Sequence, residues 1–202
     1  MDVHSRQHNL SRQIAVELDV ASCAISLAGR PVEASDLGAG DLEDWQVVLG
    51  YGPSRLAFRS GRTVEQRACD ARSTDVDEFA QYMAATGVAS ATALPLCASG
   101  EPLGAMTIYQ RSPRSLTTRQ RLQAKRAAER VAASIRLDPL EWVMRRDMVT
   151  AGLELAAGCV MARSTLSAAD ATVLIRAHAY ATGTTLRETC AQVIEGSAIS
   201  LV

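Results

Sequence analysis

Lysine is almost missing from this chain: Lys125 stands alone, and every other basic side chain is an arginine. A phosphate-cradling Walker loop needs a lysine after its glycines, so none can be written here. A phosphoacceptor receiver domain needs a lysine beside an acidic cluster, and Lys125 lies in an arginine-rich run instead. Aromatics make up only 4% of the residues. Trp45 and Tyr51, which flank an apolar segment, therefore read as core anchors before they read as pocket linings. The five cysteines (Cys23, Cys69, Cys97, Cys159, Cys190) are odd in number, scattered, and form no CxxC pair. They suit reduced, buried thiols better than a disulfide framework, and they exclude a thiolate zinc site. Nothing around Cys97 lowers a thiol pKa, so a redox sensor is not expected there. His4 and His8 are spaced for one helix face but have no carboxylate or thiol beside them, so no metal site is expected. No run approaches the roughly 20 apolar residues of a membrane span. The polar start, MDVHSRQHNLSRQ, has no signal-peptide core. The expected location is cytoplasmic, without membrane contact. No acid/base pair, nucleophile elbow or metal cluster is visible, so neither an enzyme nor a cofactor is expected.

What is present is enough to fold. The 202 residues fit one large domain or two small ones, and a 48% apolar fraction supplies an ordinary globular core. The net charge of −1 is unevenly spread. Residues 1–110 carry 8 positive and 14 negative side chains, residues 111–146 carry 10 and 3, and residues 147–202 carry 3 and 5. The basic middle segment is either a footprint for a polyanion or a solvated helix face that pairs with the acidic N-terminal half.

The N-terminal two thirds mix short strands and helices. Residues 5–20 read as a helix with Leu10, Ile14 and Leu18 on one face. Strands are expected at Cys23–Leu27, Val32–Ala34, Val64–Gln66, Ala91–Cys97 and Leu103–Tyr109, the last two joined by a hairpin-like loop at Ala98–Pro102. A helix is expected between Asp41 and Ala57, with the loop Gly50-Tyr51-Gly52-Pro53, and another at Phe79–Thr86, closed by Gly87. The uneven alternation predicts an α+β sheet domain rather than a doubly wound one. Beyond it, Ser115–Arg136 reads as a long helix opened by a Thr117/Gln120 capping box. Its narrow apolar stripe is Ala124, Ala128, Val131 and Ile135. Asp138-Pro139-Leu140-Glu141 starts another helix, with Asp at the cap and Pro at the first position. Leu140, Met144, Met148, Ala151, Leu155 and Cys159 form its stripe, spaced by threes and fours. Two such stripes predict a coiled-coil homodimer, with Leu140, Met144, Met148 and Leu155 as the dimerisation residues; intramolecular packing on the sheet is the alternative.

The last quarter is punctuated as short helices. Ser167 with Asp170, and Thr185 with Glu188, are capping boxes; Gly183 and Gly196 fall where helices end. Glu154, Ala156, Gly158, Val160, Met161 and Arg163, followed by Ser167, Ala171, Leu174, Arg176, Thr182 and Leu186, resemble the ANTAR domain, a three-helix RNA-binding module of transcription antiterminators. Two positions depart from it: Leu155 and Ala157 stand where that family has Gln and a basic residue. Upstream, EDWQVVLGYGPSRLAF, TGVASATALPL and GEPLGAMTIYQRSP resemble the GAF domains that precede actinobacterial ANTAR modules, with Ser54 where many relatives have cysteine.

The resemblance implies a GAF-like antiparallel sheet with flanking helices over residues 1–136, a helical connector, and an ANTAR-like three-helix bundle within residues 137–202. It implies a signal-responsive antitermination regulator that binds hairpin RNA in leader transcripts and keeps a terminator from forming. The GAF domain would take an unidentified small-molecule ligand. RNA contacts are expected from Arg163, Arg176, His178, Tyr180, Thr182 and Arg187, by charge and base stacking. The alternative is a ligand-sensing or scaffold dimer whose ANTAR-like module has lost its RNA affinity.

Overall fold

The structure, a computed structural model, describes residues 10–68, 77–182, 184 and 186–196, with the backbone alone at 141–150, Tyr180 and Arg187. Helix α1 (Leu10–Leu18) leads into strands β1 (Ser22–Leu27) and β2 (Arg30–Ala34). Helices α2 (Leu37–Leu49) and α3 (Pro53–Ser60), strand β3 (Val64–Arg67) and helix α4 (Glu78–Ala85) follow. Strands β4 (Ser90–Ala98) and β5 (Glu101–Gln110) complete an antiparallel sheet in the order β2-β1-β5-β4-β3. The chain ends in α5 (Thr118–Leu137), α6 (Pro139–Met161), α7 (Ala168–Thr182) and α8 (Leu186–Ile194).

Both tight hairpins turn through two left-handed residues, Ala28-Gly29 between β1 and β2 and Ser99-Gly100 between β4 and β5. That geometry matches the right-handed twist of the strands. Strand residues alternate between faces with period two. Cys23, Ile25, Leu94, Leu96, Met106 and Ile108 pack against α1 and α5. The opposite face is built from smaller residues where α3 sits: Ala93 and Ala105 meet Ala57. Backbones come close here as well. A Cβ on Gly104 would lie 2.0 Å from the Ser26 carbonyl oxygen of the neighbouring strand, so only glycine fits.

Two expectations change. The helix sought between Asp41 and Ala57 is two helices. Gly50, at φ 78°, stops α2, and Gly52, at φ 142°, launches α3. The stripe of α5 is not free for a partner. Ala124, Ala128, Val131 and Ile135 are buried against the sheet, which leaves the arginines of that helix outside. Its capping box forms, with the Thr117 side chain and the Gln120 amide 3.2 Å apart. Two of the basic side chains pair with the acidic half: Arg121 with Glu65 at 3.0 Å and Arg130 with Glu17 at 2.5 Å. These pairs are exposed and contribute little to stability.

Helices α6, α7 and α8 share a core of Leu153, Ala156, Ala157, Val160, Ala171, Ile175, Leu186, Cys190 and Val193, joined by Val47 of α2. Alanines at the crossings let the helix axes approach closely. Helix α2 is therefore covered on two sides, by the sheet and by these helices. That explains why Leu42, Glu43, Asp44, Trp45, Gln46 and Val47 are all buried in succession.

Candidate functional site

Beneath α2 lies a polar cluster in an otherwise apolar layer. The Tyr109 hydroxyl donates to Glu43 Oε1 at 2.8 Å and accepts from Gln46 Nε2 at 3.0 Å. The other end of the Gln46 amide, Oε1, accepts from both the Ser54 amide at 2.8 Å and the Ser54 hydroxyl at 2.9 Å. Gly52 is tied to this cluster, because a Cβ there would come within 2.4 Å of the Gln46 side chain. Glu43 is 1% exposed, and burial pushes its carboxyl pKa up against the hydrogen bonds that favour the anion. Tyr109 is raised well above its ordinary value by burial and by Glu43. Around them Leu42, Trp45, Phe79, Met83 and Ala91 fill the layer between sheet and helices. Trp45 is 7% exposed and stacks on Tyr82 with centroids 4.8 Å apart. Tyr51 is anchored at Glu78, whose amide donates to its hydroxyl at 3.1 Å.

Sequence reasoning missed this cluster. The signal was available: Glu43 and Gln46 fall on the helical stripe that continues from Ala39, where a carboxylate is costly unless it is hydrogen-bonded.

On the other face, a cleft of about 450 Å³ opens between α5 and strands β3 and β4. Leu94, Pro95, Leu116 and Ala128 form apolar walls, while Arg121, Lys125 and Glu65 stand at its rim with the exposed Cys97. The chain's single lysine thus edges a largely apolar recess.

The described residues expected to touch RNA do not all face one way. Arg163 is exposed just beyond α6, its guanidinium over Gly196 past the end of α8. The Thr182 hydroxyl donates to the His178 carbonyl at 2.7 Å and lies 2.8 Å from Thr184 Oγ1, which lies 2.8 Å from Thr189 Oγ1. This hydroxyl chain staples the end of α7 to α8. His178 is half-buried on α7. Arg176 turns away from it, toward the sheet domain, into a cavity lined also by Arg30 and Arg55. The side chains of Tyr180 and Arg187 lie outside the described residues, as do His4, His8, Cys69, Gly183 and Thr185. Ser167 caps α7 by accepting from the Asp170 amide at 3.1 Å, but its hydroxyl also donates to the Asp170 carboxylate at 2.6 Å; the carboxylate is too short to reach the cap amide. Ala157 is buried in the helical core at 5% exposure, so a cation at that position would be driven into an apolar contact.

Of the dimerisation residues, Leu140 is 68% and Leu155 58% exposed. The side chains of Met144 and Met148 lie outside the described residues. Helix α6 buries Leu153, Ala156, Ala157 and Val160 within the chain and turns Leu140, Ala151 and Leu155 outward. Among the described residues, no group of three metal-ligating side chains occurs, and no helix is long and apolar enough to cross a membrane.

A comparison with curated proteins gives no match. Among solved structures, a domain of a two-component sensor histidine kinase protein from Sinorhizobium meliloti superposes with a TM-score of 0.52. The two are 18% identical, and the match covers 72% of this chain and 99% of that one. At that identity the likeness concerns the fold alone. Residues 2–135 match the GAF domain family, which takes in α1 through α4, the whole five-stranded sheet and most of α5. With about two thirds of its length in that match, the chain belongs to the GAF domain family.

Proposed function

We propose that the protein is a signal-responsive RNA-binding regulator. A GAF sensor domain (residues 1–136) governs an ANTAR-like helical output (residues 137–202) that binds hairpin RNA and keeps a terminator from forming. The observation that carries this reading is the helical unit itself. Helices α6 to α8 lie outside the GAF match, have their own alanine-rich core, and dock through Val47 onto α2 of the sensor. Ala156, Val160, Ala171 and Leu186 of that core are also among the residues that carry the resemblance to the ANTAR domain. The cleft beside α5 is the position we assign to a small-molecule signal. Its volume suits a ligand of ordinary size, with apolar walls and a few charges for orientation. Self-association would use the outward stripe of α6, Leu140 and Leu155, and would place two output units side by side to add avidity. No catalytic step belongs to this reading, and the protein would act in the cytoplasm.

One observation favours the second reading, a sensing or scaffold dimer without RNA affinity. Arg176 is turned inward and Ala157 is buried, so two positions on which RNA attraction would depend are spent on the fold. Fluorescence anisotropy with short-loop RNA hairpins at low salt separates the two. Saturable binding that weakens as salt rises supports the regulator, because neutralised phosphates release counterions. A folded full-length protein that leaves such hairpins free supports the scaffold.

A further inference from the structure

A second cavity, of about 240 Å³, lies where the sheet domain meets the helical unit. Arg30 enters it from the start of β2, Arg55 from α3 and Arg176 from α7, while Val47, Leu153 and Leu186 form apolar walls. Asp44 is the one carboxylate among the described lining residues, and it is itself partnered. Three guanidinium groups from three elements are thus gathered around one small space.

We propose that this cavity binds a small free phosphate compound, of about the size of pyrophosphate, which bridges the sensor domain and the helical unit.

Four features carry the assignment. Arg55 is preset: its Nε donates to the Gly50 carbonyl at 3.1 Å and its Nη1 to the Gly29 carbonyl at 2.8 Å. Those bonds fix the plane of the guanidinium and leave its remaining N–H groups for a ligand. The Nε of Arg176 is buried without a hydrogen-bond partner, and buried donors are rarely left so. The like charges act on one another. After burial, repulsion from Arg59, Arg176 and Arg30 lowers the Arg55 pKa, and Arg30 lowers that of Arg176. A multiply charged oxyanion would relieve that repulsion and take forked hydrogen bonds, which planar guanidinium groups donate well. Finally, the space is smaller than the roughly 300–1,000 Å³ of pockets that hold drug-sized molecules, so the ligand is small. An anion held here contacts both units at once and so favours the docked arrangement over any other by its own binding energy.

The proposal stands apart from RNA recognition, because its test contains no RNA in the decisive arm. Inorganic pyrophosphate, inorganic phosphate and sulfate are titrated calorimetrically into the full-length protein at constant ionic strength, with melting followed in parallel. The expected result is one saturable site per chain, tightest for pyrophosphate, and a melting temperature that climbs with its concentration. Arg176→Gln should weaken binding at least about tenfold, the loss of a charge-assisted contact. Arg30→Gln does the same from the exposed start of β2, so the test survives if Arg176→Gln fails to fold. Arg126→Gln, exposed on α5, should bind as the parent does. Dilution heats alone for pyrophosphate and phosphate would overturn the proposal. So would undiminished binding in Arg30→Gln, or a site filled by hairpin RNA in a separate arm and by neither small phosphate.

Discussion

Replacing Glu43 with Gln should stabilise the protein at neutral pH and do nothing near pH 4. Glu43 is 1% exposed; the Tyr109 hydroxyl donates to it at 2.8 Å, and Thr107, Ser54 and Gln46 also favour its anion from close by without outweighing burial. Arg55 senses its charge but is bound to the Gly29 and Gly50 carbonyls. Burial is the largest influence on the carboxyl and raises its pKa above the ordinary 4.5. The sign follows directly. The unfolded chain releases this proton near 4.5, whereas the folded chain holds it to higher pH. The favourable contribution is therefore full below the unfolded value and is lost as pH rises through the folded one. Every tenfold by which folding weakens the acid lowers stability at neutral pH by about 1.4 kcal/mol. Gln keeps the oxygen that accepts from Tyr109 and removes the ionisation. A gain of roughly 1–3 kcal/mol at about pH 7.5 is expected, the scale of an incompletely satisfied buried polar group. For a chain of this length that is about 2–10 °C in melting temperature. Urea unfolding followed by circular dichroism from about pH 4 to pH 8 reads the profile. A variant less stable than its parent at neutral pH, or a difference that is the same at both ends of the range, would refute the reasoning.

Gly52→Ala should cost about 1–3 kcal/mol in the same assay, since φ of 142° and the Gln46 side chain both oppose a Cβ; a neutral result would mean that Gln46 relaxes without loss of its Ser54 bonds. Leu140→Glu with Leu155→Glu should abolish self-association in light scattering while changing monomer stability by no more than about 0.5 kcal/mol, because both side chains are exposed; a variant that stays dimeric would move the interface elsewhere, the cleft beside α5 being the next place to test. Arg163→Ala should weaken hairpin binding by roughly 1–3 kcal/mol and flatten its salt dependence; unchanged binding and slope would remove Arg163 from the contact.

What sequence patterns revealed were features set by neighbours along the chain. The Thr117/Gln120 capping box, the Ser99-Gly100 turn and the alternating strands are local, and they are found where the residues indicate. What stayed hidden was set by packing between distant segments. Glu43 and Asp44 are buried because a sheet lies on one side of α2 and a helical core on the other. The stripe of α5 reads as a coiled-coil seam before it reads as a sheet-facing face, and only the sheet decides it. Arg176 shows the same limit: helical spacing placed it on α7, but the direction it faces depends on a domain more than 100 residues upstream in the chain.

The same double burial of α2 bears on how a sensor could speak to an output. Glu43 and Gln46 hold one side of this helix to Tyr109 and Ser54, while Val47 and Asp44 face the helical unit. A close-packed helix cannot shift on one side without disturbing the other, but contact alone is not coupling; coupling needs two arrangements that a ligand distinguishes. The arginine cavity supplies the missing difference. Its walls come from both units, so it exists only while they are docked, and whatever fills it binds that arrangement alone. Charge repulsion among Arg30, Arg55 and Arg176 opposes docking when the cavity is empty and ceases to do so when an anion is present. The joint is therefore weaker in the absence of the anion, and ligand concentration adds to the docking that the apolar contact of Val47 with the helical core already supplies.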